Sequence, residues 1–189
     1  MNGGRLIYVI GASGSGKDSL MRYARERLAG DPACQFAHRY ITRPPDAGGE
    51  NHVALTAEEF ETRRKTGLFA MHWRSHGLDY GIGIEINQWL GKGVTVVVNG
   101  SREYLPEASA QYRELLPVWI EVDPEVLRER LLARGRESFA DIEERLARHR
   151  LLQGAHRAGK RVYNNGALEM AGEQLIGFIG RYRGARSCA

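Results

Sequence analysis

Nine consecutive residues near the amino terminus carry the strongest chemical signal in the chain: Gly11-Ala12-Ser13-Gly14-Ser15-Gly16-Lys17-Asp18-Ser19. Their spacing is Gly-x4-Gly-Lys, the P-loop pattern. Glycines without Cβ atoms let successive backbone N–H groups turn inward onto phosphate oxygens, and a helix starting at the loop adds positive potential there. Lys17 reaches the outer phosphates of a bound nucleotide as a point charge. Position 18 departs from the pattern, with Asp where Ser or Thr ordinarily offers Mg²⁺ a hydroxyl. A carboxylate is also a hard oxygen ligand, and its charge is favourable in a first helical turn. Asp18 is therefore expected to hold Mg²⁺ directly or through water, with Ser19 as a less well aimed substitute.

The elements around the loop must hold it in place. Leu6-Ile7-Tyr8-Val9-Ile10 predicts a buried strand, and Leu20, Tyr23, Ala24 and Leu28 give residues 18–28 helical spacing. Phe36 to Ile41 is expected as one short strand. It leads into a loop dense in Pro and Gly over 42–52, with Thr42 and Arg43 as donors at its entrance. Thr56 caps a helix to about Lys65, Leu68 to Trp73 reads as a strand, and a short helix runs near Glu85 to Leu90. His72 and His76 are four apart, but their stretch reads extended with a glycine turn, so no metal site is expected of them. Val94 to Val98 is a continuous β-branched run of the parallel-sheet kind. Asn99-Gly100-Ser101-Arg102 stands at its carboxyl end, where open α/β sheets bind ligands, and Arg102 is expected to open the next helix. A strand over Pro117–Val122 precedes a helix with Pro124 in its first turn, and the stretch Leu132-Ala133-Arg134-Gly135-Arg136-Glu137 breaks that helix. A further helix, about Phe139 to Leu152, puts Arg145 and Arg148 on one face. A last strand, Arg161–Tyr163, and a closing amphipathic helix, Leu168–Tyr182, complete the reading. Alternating strands and helices around one P-loop give an α/β domain with a mostly parallel sheet.

Length and composition limit the alternatives. The 189 residues suit one domain with a real core, and 42% apolar with 26% charged residues is ordinary for a globular protein. The net charge of +4 comes mostly from arginines dispersed along the chain. There is no polybasic run or aromatic RNA-binding motif, which argues against a nucleic-acid partner. Apolar runs of about five residues are too short for a membrane span or a signal peptide. Cys34 and Cys188 lack metal-type spacing, and together these features point to the cytoplasm. The sequence leaves a homo-oligomer open.

The P-loop, Thr42-Arg43-Pro44-Pro45 followed by Gly49-Glu50, Tyr80-Gly81, and Arg134-Gly135 with Arg145-Leu146 together resemble the guanylate-kinase-like fold. Their order and spacing cover nearly the whole chain. Within that fold, the strings GASGSGKDS, HRYITR, GENHVAL, YGIGIEI and VNGSR are similar to the ribose 1,5-bisphosphate phosphokinase branch, which makes phosphoribosyl diphosphate in phosphonate breakdown. The resemblance implies a three-layer P-loop kinase domain over 1–189, with an acceptor-binding insert over about 36–90 and a lid over about 134–150. It implies ATP on Gly11 to Ser19, Mg²⁺ at Asp18, and catalytic roles for Lys17, Arg134 and Arg145. Arg43 and Tyr80 match acceptor-phosphate ligands of guanylate kinases, and His52 replaces a phosphate-binding tyrosine. Arg39 and Met71 stand where a serine and a carboxylate read the guanine edge, Asn99 stands where an acid follows the central strand, and Asp46 replaces a second arginine. Thr42, Glu50 and Arg102 complete the candidate acceptor residues.

The reaction so implied moves the γ-phosphoryl of ATP onto the 1-phosphate of a sugar bisphosphate. That acceptor oxygen is already anionic, so alignment and charge neutralisation suffice and no catalytic base is required. A guanine N–H facing Met71 would lose its acceptor, at about 1–3 kcal/mol for an unpaired buried donor. A nucleoside monophosphate kinase is the alternative enzyme. A non-catalytic guanylate-kinase-like binding module is a second alternative, which the intact Gly11, Gly16 and Lys17 disfavour.

Overall fold

Leu6 to Ile10 are each at most 2% exposed, as a strand must be when helices cover both faces of its sheet. The computed structural model describes residues 4–45, 50–135, 138–153 and 158–182, with backbone alone at Arg148 and at 151–153. This first strand, β1 (Leu6–Gly11), is followed by α1 (Lys17–Arg27), β2 (Cys34–Phe36), β3 (Arg39–Ile41) and β4 (Val53–Ala54). Next come α2 (Ala57–Lys65), β5 (Phe69–Ser75), β6 (Leu78–Gly83), α3 (Glu85–Gly91) and β7 (Thr95–Asn99). The chain closes with α4 (Leu105–Gln111), β8 (Leu116–Glu121), α5 (Pro124–Arg134), α6 (Phe139–Gln153), β9 (Lys160–Tyr163) and α7 (Leu168–Arg181).

The main sheet has the order β2-β7-β1-β8-β9, and every neighbouring pair is parallel. Period-2 alternation sorts β1 between two layers. Ile7 and Val9 pack with Leu20 and Ala24 of α1 and Leu175 and Ile179 of α7. Leu6, Tyr8 and Ile10 face Val96, Val98, Met71, Ile82 and Ile86. From β1 the chain visits β2 and β7 on one side before crossing to β8 and β9 on the other. The carboxyl end of β1 is thus the switch point at which such sheets open a crevice, and the glycine loop leaves from it.

A second sheet, β4-β3-β6-β5, stands beside the first; β3, β6 and β5 pair antiparallel, and β4 joins β3 in parallel. It corrects the expectation of one strand over Phe36–Ile41. Phe36 ends β2 in the main sheet, where Ala37 N donates to Val97 O at 3.0 Å, while Arg39 opens β3 opposite Ile82. The chain changes sheets at His38. Both halves stay extended, so alternation cannot reveal the change of partner. Arg39 is thus the first residue of the second sheet. A second correction concerns Arg102, which lies in a bend ahead of α4. Pro106, preorganised for a first helical turn, sets that helix's start near Leu105.

Local signals explain the remaining boundaries. Thr56 Oγ1 accepts from Glu59 N while Glu59 Oε2 accepts from Thr56 N, a complete capping box on α2. Gly135, at φ 62°, closes α5. Ala12, Val122, Leu127, Leu131, Ile142 and Leu146 form a separate apolar cluster that seats α5 and α6 against the glycine loop. No helix among the described residues is long and apolar enough to cross a membrane.

Candidate active site

The loop from Gly11 to Gly16 turns on two left-handed glycines, Gly14 at φ 90° and Gly16 at φ 80°. Gly16 also has no room for a side chain: a Cβ there would lie 2.4 Å from Asn164 Nδ2, which donates to Ser15 O at 2.7 Å. No side chain caps α1, so the first-turn N–H groups face the loop's interior without a side-chain acceptor. Helix dipole and open donors make this end of α1 an anion seat.

Lys17, the first residue of α1, donates from Nζ to Asn99 Oδ1 and stands 3.5 Å from Asp18 Oδ1. Asn99 is held at the end of β7 by flanking bonds. Gly100 N donates to Val9 O at 2.8 Å, and Ser101 N donates to the Tyr8 hydroxyl at 3.0 Å. Its amide nitrogen donates to Asp18 Oδ1 at 2.9 Å and to Glu50 Oε2 at 2.7 Å. Glu50 in turn receives both arms of the Arg39 guanidinium, Nε at 2.7 Å and Nη2 closer still. One neutral amide, 6% exposed, therefore joins two opposite-charge pairs.

Burial pushes the Lys17 ammonium below the usual lysine range, while Asp18 pulls it back up. Burial also tends to raise the Asp18 carboxyl. The Lys17 and Arg39 charges and the Asn99 hydrogen bond outweigh that tendency and hold it below the usual carboxylate range.

Beyond this network lies an open cleft lined by Asp18, Arg22, Arg25, Arg39, Glu50 and Asn51, among others. Tyr80 forms part of its floor support: Arg39 sits 5.0 Å over its ring, and Trp73 stacks on it with centroids 5.7 Å apart. Arg43 and His52 meet nearby, Nη2 to Nδ1 at 3.2 Å, and His52 also contacts the Glu50 and Arg43 carbonyls. Arg43 Nε is buried without an acceptor among the described residues. Thr42 is otherwise engaged, its hydroxyl accepting from Asp79 N at 2.9 Å and so tying β3 to β6. Met71 is 1% exposed inside the apolar layer and offers the cleft no polar atom. Asp46 and Gly49 lie outside the described residues, as do Cys188 and the Arg148 side chain.

From α6, Arg145 Nη1 donates to Ser13 Oγ at 3.0 Å, which ties that helix to the loop. Arg134 is exposed at the end of α5. Arg102 stands apart from the acceptor candidates, lining a small recess with Gly11, Ala12, Trp119, Glu121 and His149. The structure thus brings together Lys17, Asp18, Asn99, Glu50 and Arg39, sets Arg43, His52 and Tyr80 beside them, and leaves Arg102 elsewhere.

The donor set suits Mg²⁺. Asp18 is a hard oxygen ligand at the loop's edge, with a side chain 45% exposed and open to a cation. No group of three or more His, Cys, Asp or Glu side chains suited to a metal occurs among the described residues. Nucleotide phosphates and water would complete the shell, which is how Mg²⁺ is ordinarily bound.

Four polar residues at the site escape a motif-based reading. Asn164 and Arg130 both reach Ser15 O, at 2.7 and 3.5 Å, and brace the loop from β9 and α5. Arg22 and Arg25 share the face of α1 that begins at Asp18. Helical spacing from Asp18 would have flagged the last two; apolar spacing in that helix hides them.

Among curated proteins, the chain is 61% identical over 178 residues to "Ribose 1,5-bisphosphate phosphokinase PhnN" of Thiobacillus denitrificans, covering 93% of each. It is 54% identical over 184 residues to the protein of that name from Chromobacterium violaceum, covering 97% of this chain and 96% of the relative. The Psychromonas ingrahamii protein of the same name is 51% identical over 177 residues, covering 93% and 90%. Among solved structures, guanylate kinase from Anaplasma phagocytophilum superposes with a TM-score of 0.71 at 16% identity, over 98% of this chain and 89% of that one. That likeness shows the fold. No protein-family model matches the chain.

Proposed function

The chain belongs to the ribose 1,5-bisphosphate phosphokinase family, and on that premise we propose that it transfers the γ-phosphoryl of ATP to the 1-phosphate of ribose 1,5-bisphosphate, yielding 5-phosphoribosyl 1-diphosphate. The observation that carries this reading is the cleft beside the P-loop. Its lining holds three arginines, while Met71, where a guanine-reading carboxylate would stand, is sealed in the apolar layer. A purine N–H directed at Met71 would find no acceptor; a sugar with two anionic ends has no such group to satisfy.

In the reaction, an oxygen of the acceptor's 1-phosphate attacks Pγ. The bond between Pγ and the β,γ-bridging oxygen breaks, ADP keeps that electron pair, and a new P–O–P linkage forms. No proton has to move. Loop N–H groups and Lys17 hold the ATP phosphates, with Lys17 exchanging Asn99 Oδ1 for phosphate oxygen. Arg43, His52 and Tyr80 orient the acceptor phosphate. Arg145 and Arg134 close over the transfer, neutralise the equatorial oxygens and exclude water, so that hydrolysis of ATP does not compete. Asp18 would hold Mg²⁺, which when bound would offset negative charge on the ATP phosphates. The family suits a cytoplasmic enzyme acting on a small molecule.

The test is a paired acceptor assay with ATP and Mg²⁺, following the new diphosphate by ³¹P NMR. Ribose 1,5-bisphosphate is expected to exceed GMP by about 10²-fold or more in kcat/KM, the equivalent of two unpaired donors. A clear preference for GMP overturns the reading.

A further inference from the structure

Helix α1 presents two arginines for which the reaction as described has no use. Arg22 and Arg25 stand four and seven residues beyond Asp18, so all three side chains share one helical face, and all line the cleft. Arg25 is half-buried and Arg22 exposed. Facing them are Arg39, Glu50, Asn51 and Asn99. The other charges at this end are matched, Arg39 with Glu50 and Lys17 with Asp18. Neither Arg22 nor Arg25 has a hydrogen bond or ion pair to its guanidinium among the described residues.

The cations are thus Lys17, Arg22, Arg25 and Arg39 and the anions Asp18 and Glu50, four against two, which leaves a surplus of two positive charges. That surplus is not where the nucleotide phosphates bind. Along α1 the two arginines lie about 7–12 Å from Lys17, at a rise of about 1.5 Å per residue. Phe36 and Ala37 line the same cleft, and no residue from Gly11 to Lys17 is among its lining. A pentose bisphosphate would offer such a pair of cations a ligand: its ring separates the reacting phosphate from a second dianion that takes no part in the chemistry. Guanidinium forks match phosphate oxygens two at a time.

We propose that Arg22 and Arg25 form the subsite for the non-reacting 5-phosphate of the acceptor, and so select a bisphosphorylated sugar over one that carries the reacting phosphate alone. The subsite rests on the sugar-bisphosphate reading given above. Remote binding of this kind aligns the reacting end, so losing it lowers turnover as well as affinity.

The test crosses the double variant R22A/R25A with truncated acceptors. Wild type prefers ribose 1,5-bisphosphate to ribose 1-phosphate, and in the variant that preference shrinks by about 10²-fold, the worth of one to two charge-assisted hydrogen bonds. Ribose 5-phosphate, which carries only the distal group, inhibits wild type competitively, and its inhibition constant rises by a similar factor in the variant. The unliganded melting temperature and the KM for ATP report whether the variant is folded; R22K/R25K, which keeps the charge, recovers part of the preference. An unchanged preference, or an equal loss with both acceptors, overturns the subsite. If wild type used GMP and ignored the bisphosphate, the functional reading would fall. The subsite, which rests on that reading, would fall with it, whereas an unchanged preference in R22A/R25A while wild type uses the bisphosphate would overturn the subsite alone.

Discussion

Replacing Asn99 by Asp tests the charge arrangement on which the site depends. The wild-type amide donates to Asp18 Oδ1 at 2.9 Å and to Glu50 Oε2 at 2.7 Å. An aspartate would set an anion at both contacts, each repelling by about 6 kcal/mol at an effective dielectric of about 20. Lys17, already hydrogen-bonded to this side chain, returns one attraction of similar size. Asp18 is 45% exposed, so water screens its share; Glu50 at 10% is the contact that decides. Proton uptake caps the penalty. Holding a carboxyl of ordinary pKa about 3.9 protonated at pH 7 costs about 4 kcal/mol, and the acid then donates one of the amide's two hydrogen bonds. N99D is therefore expected to lose about 2–4 kcal/mol of stability at pH 7. The sign follows from linkage. The variant's folded state binds the extra proton and its unfolded state does not, so the deficit grows as pH rises above the unfolded value and shrinks as pH falls. Urea unfolding of both proteins at pH 7 and pH 4.5 measures it, with a gap below about 1 kcal/mol expected at the lower pH. A variant as stable as wild type at pH 7, or a deficit that does not change with pH, would refute the bridging role of Asn99.

Other perturbations read out separate parts of the machine. Gly16→Ala forces an L side chain to φ 80° and drives its Cβ into Asn164. A stability loss of about 1–3 kcal/mol from the backbone alone is expected, with weaker ATP binding, checked by thermal melts with and without nucleotide. Arg145→Ala is expected to lower turnover by about 10³-fold at nearly unchanged unliganded stability, measured by steady-state kinetics beside a melt. Thr56→Ala removes the capping box of α2 and is expected to cost about 1 kcal/mol without changing either KM, read by urea unfolding and kinetics. Because burial lowers the Lys17 pKa from its ordinary 10.5, ATP affinity is expected to weaken as pH climbs through that lowered value. In a titration of KM for ATP, Lys17→Arg, which keeps its charge, should lack that alkaline limb.

The sequence carries the glycine loop itself in full, its braces Asn164 and Arg130 not at all, and the acceptor side in fragments. Strand, glycine loop and helix are consecutive in the chain, so local spacing alone marks Gly11 to Lys17. The network at Asn99 is different: it joins residues 17, 18, 39, 50 and 99, which only sheet pairing brings together. Asn99 and Glu50 were legible as candidates from the family resemblance, but nothing local shows that Glu50 is spent on Arg39. The same holds for Thr42, whose hydroxyl satisfies a backbone N–H of β6, and for Arg102, which the bend before α4 turns to another recess. The jump of the chain between sheets at His38 was invisible because a strand's alternation does not name its partner. Arg22 and Arg25 were missed for the opposite reason. Their spacing from Asp18 was in plain view, but charged residues on a helix are by default a solvated face, and only the cleft opposite gives them another use.

The exchange at positions 18 and 99 follows from the same electrostatics. In the guanylate-kinase pattern, position 18 carries a hydroxyl and the residue after the central strand an acid; here the carboxylate is on the loop and the amide on the strand. Either arrangement supplies one anion within reach of the buried Lys17. A serine at 18 together with Asn99 would leave that ammonium without its 3.5 Å counter-charge whenever nucleotide is absent. An acid at both places would recreate the repulsion argued for N99D. Asp18 and Asn99 therefore form one compensated unit, so D18S and N99D, each harmful alone, should be less harmful together than the sum of their separate losses. Strict additivity would mean that the two positions were filled independently, and that the match of charge across the cleft has no part in keeping Lys17 protonated.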